Sequence, residues 1–400
     1  MPVRATKRGD ERTSLAGRHD VLICGASFAG LAVARELAGS GADVMIVDRY
    51  EIGERQTSAC GIPTDWMRQL GLMECERQRF DTMVLHTPLA SARWKLPWTL
   101  STFDYREFCE LLWRDCDATF ETAKVNGRAA DANDNGEIAI ETDRGVISAP
   151  LVIDGLGWRR MLANDNGYQP PDAPLSRGLE VHPEGGGEDL EIWVDRRYVP
   201  EGYGWSFPAG EETRVGIGSF DPRFHVRATT ELLAEDLGRD SVRYQGNWIP
   251  HKLRRAGEGD VFFVGDSAGH CVPFTAEGIR TALYFGIALG RELRGVVEGR
   301  QSREQAAASY AKFHDSHEWK FRWMLRVQKM LPRFPKPVLA AGVRLMKFKP
   351  LTTWAFKHYL QIAPPEYTGS AQDQEGPGQQ QADSGQAGRG DRDLVQAEQA

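Results

Sequence analysis

The chain has 400 residues, 26% of them charged, and a formal net charge of −7. That length accommodates two domains with separate cores, and the acidic balance argues against a generic nucleic-acid binder. No apolar run is long enough to span a bilayer, the N-terminus lacks a secretory signal, and six cysteines without a C-x-x-C pair read as reduced thiols of a cytoplasmic protein.

Residues 1–18 are charged and aperiodic, so a disordered extension is predicted there. The first clear element is Val21-Leu22-Ile23-Cys24, an apolar run of the kind found in parallel strands buried on both faces. Gly25 permits a tight turn, and Gly30 stands where a side chain would hold a helix off that strand. Leu31, Val33, Ala34 and Leu37 supply the helix's packed face. A second strand, Val44 to Val47, ends in Asp48, 18 residues after Gly30. Strand, glycine turn, helix, strand and carboxylate in this order form a dinucleotide site. The pyrophosphate would sit on the free N–H groups at the helix start, and Asp48 would hold a ribose. The middle glycine of the usual G-x-G-x-x-G is Ser27 here, whose hydroxyl can donate to a phosphate.

Further along, Gly202-Tyr203-Gly204-Trp205-Ser206-Phe207-Pro208 alternates aromatic and small residues. On a strand this puts Tyr203, Trp205 and Phe207 on one face, either as the wall of an apolar substrate cavity or as ordinary sheet core. Val261 to Val264 is another buried strand, ending in Gly265-Asp266. A long helix is predicted from about Gly278 to Val297. His270 and Glu277 lie in the loop between them as candidate proton relays, although either residue type also serves simply to cap or support such a loop.

From Glu318 to Leu360 there are ten Lys or Arg and one acid, interleaved with aromatic residues. Trp323, Val327, Met330 and Leu331 form one helical stripe and Arg322, Arg326, Lys329 and Arg333 another. That is the pattern of a helix lying on an anionic membrane, or of a docked cap with a solvated basic face. A second helix is predicted from about Val338 to Phe348. Residues 369–400 are mainly Gln, Gly, Asp and Ala, and a disordered tail is predicted.

Taken together, these segments resemble the geranylgeranyl reductase branch of the para-hydroxybenzoate-hydroxylase-like flavoproteins, over about residues 20 to 330. Besides the two strand–turn motifs, the resemblance is carried by Arg55 seven residues after Asp48, by Asp104-Tyr105-Arg106-Glu107-Phe108, by Leu151 to Gly155, by Ser58-Ala59-Cys60-Gly61 and by the aromatic strand. The chain departs from aromatic hydroxylases at Trp158 and Gly269, where those proteins carry serine and histidine. Ala276 replaces a glycine of the flavin loop.

The resemblance implies a glutathione-reductase-type, Rossmann-like α/β FAD domain. It would be discontinuous, 20–170 plus 246–300, with an antiparallel substrate domain at 171–245 and a basic helical segment at 301–362. It implies FAD held by Gly25, Ser27, Phe28, Ala29, Gly30, Asp48, Arg49, Arg55, Arg106, Val125, Asp154, Gly155, Gly265, Asp266, Gly278 and Ile279. Cys60 is expected beside the flavin, with Glu277 and His270 as the other candidate catalytic groups and Tyr203, Trp205 and Phe207 as the substrate wall. No histidine or cysteine cluster suggests a metal. The expected activity is reduction of C=C bonds in a polyprenyl or other apolar substrate. The rivals are a flavin monooxygenase or, more weakly, a halogenase, against which the absence of lysine between Asp48 and Arg93 counts. A third is a non-catalytic flavin- or lipid-binding protein. NADPH, NADH or an electron-carrier protein would supply electrons, and the 318–360 segment would touch the membrane.

Overall fold

A computed structural model of the chain describes residues 1–4, 13–56, 58–129, 136–163 and 175–369. Its centre is a seven-stranded sheet in the spatial order Val3–Arg4, Thr119–Thr122, Val44–Asp48, Val21–Cys24, Leu151–Asp154, Val261–Phe263 and Gly257–Glu258. Every neighbouring pair is parallel except the last. Val21–Cys24 and Leu151–Asp154 are buried at every residue, as central strands covered on both faces must be. The helices Phe28–Leu37 and Ile279–Val297 pack together on one face. Gly286 and Gly290 make that contact close. A methyl at Gly286 would come within 2.8 Å of the Ala29 carbonyl oxygen.

The strand–turn–helix crossing depends on three glycines. Gly25 has φ +113°, and a Cβ there would lie 2.4 Å from the Gly155 carbonyl oxygen. A Cβ on Gly30 would lie 1.9 Å from the Gly25 carbonyl oxygen. No side chain fits either space, so the helix begins directly beneath the ends of two strands.

A second, four-stranded sheet (Gly17–Arg18, Gly145–Ala149, Ile138–Thr142, Val125–Arg128) covers the other face. Two of its residues and two of the main sheet come from the stretch predicted to be disordered. Val3–Arg4 pairs with Thr119–Phe120, Gly17–Arg18 pairs with Ile147–Ser148, and Leu15 is buried. Charge and lack of period do not prevent a short segment from adding to an open sheet edge. Residues 370–400 lie outside the described residues, as does the predicted boundary at 170/171.

The third sheet has eight strands, in the order Gln245–Pro250, Leu175–Val181, Glu212–Ser219, Gly202–Ala209, Leu190–Trp193, Glu76–Thr87, Ala90–Phe103 and Gly61–Pro63. It is antiparallel except where Leu190–Trp193 runs parallel to Glu76–Thr87. It therefore draws on residues 61–103 and on 246–250, both predicted for the FAD-binding domain, as well as on the predicted 171–245. The long hairpin Glu76–Phe103 carries few apolar residues on its outer face and gives no sequence cue to which sheet it joins. The C-terminal helices Arg303–Asp315, Glu318–Met330, Lys336–Leu345 and Lys349–Leu360 close one end. Val343 and Phe356 pack on Trp94, Leu96 and neighbours of that hairpin.

Replacing Gly30 with alanine forces a methyl into the Gly25 backbone. Overpacking of this kind costs about 1–3 kcal/mol. Gly30→Ala is expected to lower the thermal midpoint and to leave the purified protein depleted of flavin, read by the visible absorbance of the preparation.

Candidate active site

Between the parallel sheet and the eight-stranded sheet lies one cavity of about 1850 Å³. Drug-sized sites run to about 1,000 Å³, so this volume suits a dinucleotide and a second ligand together.

At one end, Ala26, Ser27, Phe28 and Ala29 line the cavity at the helix start. Ser27 is the N-cap but makes no side-chain capping bond, so the first-turn N–H groups face the space. Asp48 accepts from the Ala26 N–H at 2.9 Å and from the Tyr50 N–H at 3.0 Å, and so shapes the turn while bordering the cavity. Burial raises its carboxyl above the ordinary value. Arg49, Arg55, Lys124, Val125 and Gly155 complete this end. Arg55 donates to the Tyr50 hydroxyl at 2.7 Å.

Deeper in, Gly265 turns with φ +66° and Asp266 lines the cavity. Burial pushes its carboxyl up to about 6, and no hydrogen bond to its carboxylate oxygens occurs among the described residues. Gly278 and Ile279 open the helix Ile279–Val297, and its N-terminus also lacks a side-chain cap. Two uncapped helix starts and an unpartnered carboxylate around one elongated space suit a bound FAD. The first could take the pyrophosphate, Asp266 the ribityl hydroxyls and the second helix the electron-rich end of the ring. In the loop before that helix, Phe274 and Ala276 take φ +72° and +52°. Ala276 thus adopts a conformation that favours glycine, which keeps the loop's course despite the substitution.

Six sequence-predicted residues do not face the cavity. Gly25 and Gly30 act through close packing alone. Asp154 is fully buried and its oxygens accept from the Leu156 and Leu162 N–H groups and the Ser267 hydroxyl, which knots the loop after the central strand. Arg106 is exposed, with Gly53 pressed against its backbone. Cys60 takes φ +54°, which turns its thiol inward to the Ser58 carbonyl at 3.1 Å. Burial raises that thiol far above its ordinary range, so it remains neutral. The flavin-proximal role expected for Cys60 is not supported by this orientation.

His270 is corrected in the same way. Its ring is buried, stacks on Phe285 at 3.8 Å between centroids, and accepts from the Gly265 N–H through Nδ1 at 3.0 Å. Burial holds it neutral, so it fixes the Gly265–Asp266 turn and has no route for proton transfer into the cavity. Glu277 does line the cavity, but as half of an ion pair with the fully buried Arg280, at 2.6 Å. It also accepts from the Tyr359 hydroxyl. Arg280 donates to the Leu360 and Ala363 carbonyls, both at 2.8 Å, so the pair locks the C-terminal helix onto the loop.

The other half of the cavity is mainly apolar, with Arg177, Glu180, His225, Arg227, Gln245 and Asn247 among its polar lining. Tyr203, Trp205 and Phe207 all face it, together with Met83, Leu85, Trp94, Trp98, Leu100, Ile192 and Phe356. Trp205 lies across a floor of glycines. Cβ atoms on Gly216, Gly218 and Gly178 would meet its ring at 2.2, 3.4 and 3.9 Å. The sequence reading missed four elements of this wall. They are Glu180, which accepts from the Trp205 indole N–H at 3.2 Å, Gln245, and the indoles Trp94 and Trp98. Gly178 and Glu180, two apart in Leu175–Val181, were the available signal that this strand fronts a cavity. The Glu318–Leu360 helices contribute Trp319, Trp323, Met324, Val327, Trp354 and Tyr359 to the mouth.

The lycopene cyclase protein family model matches residues 20–207. Digeranylgeranylglycerophospholipid reductase 3 of Methanosphaera stadtmanae is 26% identical over 334 residues, 74% of this chain and 83% of that protein. Among solved structures, a geranylgeranyl bacteriochlorophyll reductase-like protein of Thermoplasma acidophilum superposes with a TM-score of 0.75 at 17% identity, covering 88% of this chain and 98% of that one. PqsL of P. aeruginosa, solved with 2-aminobenzoylacetate, gives 0.64 at 16% identity over 82% and 99%. The fold and relatives define an FAD-dependent oxidoreductase. Within that class the chain is similar in sequence to digeranylgeranylglycerophospholipid reductases and in fold to a geranylgeranyl bacteriochlorophyll reductase-like protein.

Because its carboxyl is raised from 3.8 to about 6, Asp266 costs stability wherever it ionises in the folded state. That cost is full above about pH 6 and disappears as the pH falls toward the ordinary value. Asp266→Asn is therefore expected to raise the Tm of the flavin-free protein at pH 8 and to change it little at pH 4. FAD affinity should fall by about tenfold or more, since hydrogen bonds to a charged group contribute about 1.5–3 kcal/mol.

Proposed function

We propose that this protein reduces carbon–carbon double bonds of a long, apolar isoprenoid substrate. The observation that carries the reading is the continuity of the cavity. The FAD-type cradle and the aromatic, glycine-floored chamber form a single space with no wall between them. A chain laid along Tyr203, Trp205 and Phe207 would therefore lie beside the cofactor. The relatives' names as reductases of geranylgeranyl lipids support the same substrate class.

FAD, when bound and reduced, supplies hydride. This chain's residues do the remainder. Ser27, Phe28 and Ala29 would bind the pyrophosphate, Arg49 and Arg55 the adenosine end, and Asp266 the ribityl chain. The Ile279 helix N-terminus would favour negative charge on the ring. The apolar wall would orient the substrate and exclude water. Electrons would come from NADPH or NADH entering transiently, or from an electron-carrier protein. The described residues form one nucleotide-type parallel sheet, so a nicotinamide would share this cavity.

The mouth suits a membrane. Trp319, Trp323 and Trp354 are 60%, 55% and 60% exposed, and Leu345 and Phe348 are exposed beside them. Ten basic residues are interleaved with this set. No helix among the described residues is long and apolar enough to cross a bilayer. The arrangement fits contact with an anionic surface from which a lipid chain slides into the cavity.

Two measurements test this reading. The photoreduced protein, kept free of oxygen, should be reoxidised by geranylgeraniol, followed in the flavin spectrum. Reoxidation that occurs only after oxygen is admitted would replace the reductase reading with a monooxygenase. In the second, the protein should float with phosphatidylserine vesicles, and a Trp323→Ser, Trp354→Ser double variant should lose about tenfold in affinity, since buried apolar area drives such binding. Unchanged flotation would remove the membrane face from the account.

A further inference from the structure

Saturating a double bond adds a hydride to one carbon and a proton to the other. The wall around Tyr203, Trp205 and Phe207 is mainly apolar and aromatic, so a proton delivered there calls for a protein group. Glu277 is committed to Arg280 and the Cys60 thiol is turned away. One buried acid remains on the chamber wall.

Glu180 sits mid-strand with its side chain 4% exposed, facing the cavity in the same cross-strand row as Gln245, Gly216 and Trp205. One oxygen accepts from the Trp205 indole at 3.2 Å. The other lies 2.9 Å from His182 Nε2. His182, also buried, has its Nδ1 3.7 Å from Glu212 Oε1, within ion-pair distance. Glu212 is a quarter exposed and reaches the surface between Arg214 and Arg243. Cavity, carboxyl, imidazole, carboxylate and solvent thus follow one another in a line. Beside Glu180, the Gln245 Oε1 atom is buried with no partner among the described residues, which leaves an acceptor open toward the same spot. The Cys60 thiol lies within electrostatic reach of Glu180, Arg243 donates to the His182 carbonyl and faces Glu212, and Arg214 pairs with Glu212.

We propose that Glu180 is the proton donor of the cavity and that His182 and Glu212 resupply it from solvent. The proposal rests on the reductase reading. In the step, the π electrons of the double bond would take the proton from the Glu180 carboxyl, and reduced FAD, when bound, would supply the hydride to the neighbouring carbon. The carboxylate is then reprotonated by the His182 imidazolium, and His182 by water at Glu212. Trp205, resting on its glycine floor, holds the carboxyl toward the chamber and is a positioning residue.

The test uses the holoenzyme with geranylgeraniol in detergent micelles, in oxygen-free buffer. Glu180→Gln should lower kcat by about 100-fold with KM unchanged, the scale of a lost general acid. His182→Gln should lower it less, enlarge the solvent deuterium isotope effect and shift the pH profile, and formate should partly restore the Glu180→Gln variant. A second readout needs no turnover. The infrared spectrum should contain a protonated-carboxyl band that is absent in Glu180→Gln and altered in frequency in His182→Gln. Wild-type activity retained by Glu180→Gln, or no such band at any pH where the protein is folded, would overturn the relay. Failure of wild type to turn over geranylgeraniol with the band present would count against the reductase reading and leave the carboxyl–imidazole line standing.

Discussion

The architecture depends on a backbone contact that no side chain can enter. Gly25, Gly30 and Gly155 bring the first strand, the first helix and the loop after the central strand within touching distance, and the helix start is left bare. That bare end, with the equally uncapped start of the Ile279 helix, gives two positive poles facing one space. Asp48 and Asp266 border the same space and carry a desolvation penalty that a bound, hydroxyl-rich ligand would relieve. The protein stores unsatisfied polarity on the cofactor side of the cavity, and binding would satisfy it.

The opposite wall follows a contrary logic. Glycines at 178, 216 and 218 remove side chains from three positions on adjacent strands so that a single indole can lie flat across them. The buried polar groups there include Glu180, Gln245 and the indole N–H groups of Trp94 and Trp98, and Arg177, His225, Arg227 and Asn247 also border the cavity. In a wall dominated by apolar and aromatic side chains, each buried polar group is consequential. Arg214 links the two walls. It donates to the Ala59 and Phe103 carbonyls and pairs with Glu212, so the segment around Cys60 is fastened to the sheet that carries Trp205.

The sequence was most legible where periodicity and backbone demands coincide. Val21–Cys24, the Gly25 and Gly30 turn, Asp48 and Gly265-Asp266 all declare themselves, because only certain residues tolerate those spaces. The alternation of Tyr203, Trp205 and Phe207 was visible too, and all three rings face the cavity. Residues whose role depends on which way a side chain turns could not be read. Cys60 and His270 lie near the cavity in sequence and point into the core, and Asp154 is consumed by its own loop. Val3–Arg4 and Gly17–Arg18 were misread because strand addition at a sheet edge uses backbone groups and leaves little mark on composition. Glu180 was hidden for a different reason. A single carboxylate in a strand looks like a solvated position until the neighbouring strands bury it.

The central claim is that the apolar chamber presents a double bond to the cofactor for reduction. Its most direct test is the mass of the product formed when photoreduced holoenzyme meets geranylgeraniol in a single oxygen-free turnover. The account predicts a product heavier than the substrate by two hydrogens. Unchanged substrate without oxygen, together with a product heavier by one oxygen atom once air is admitted, would contradict it.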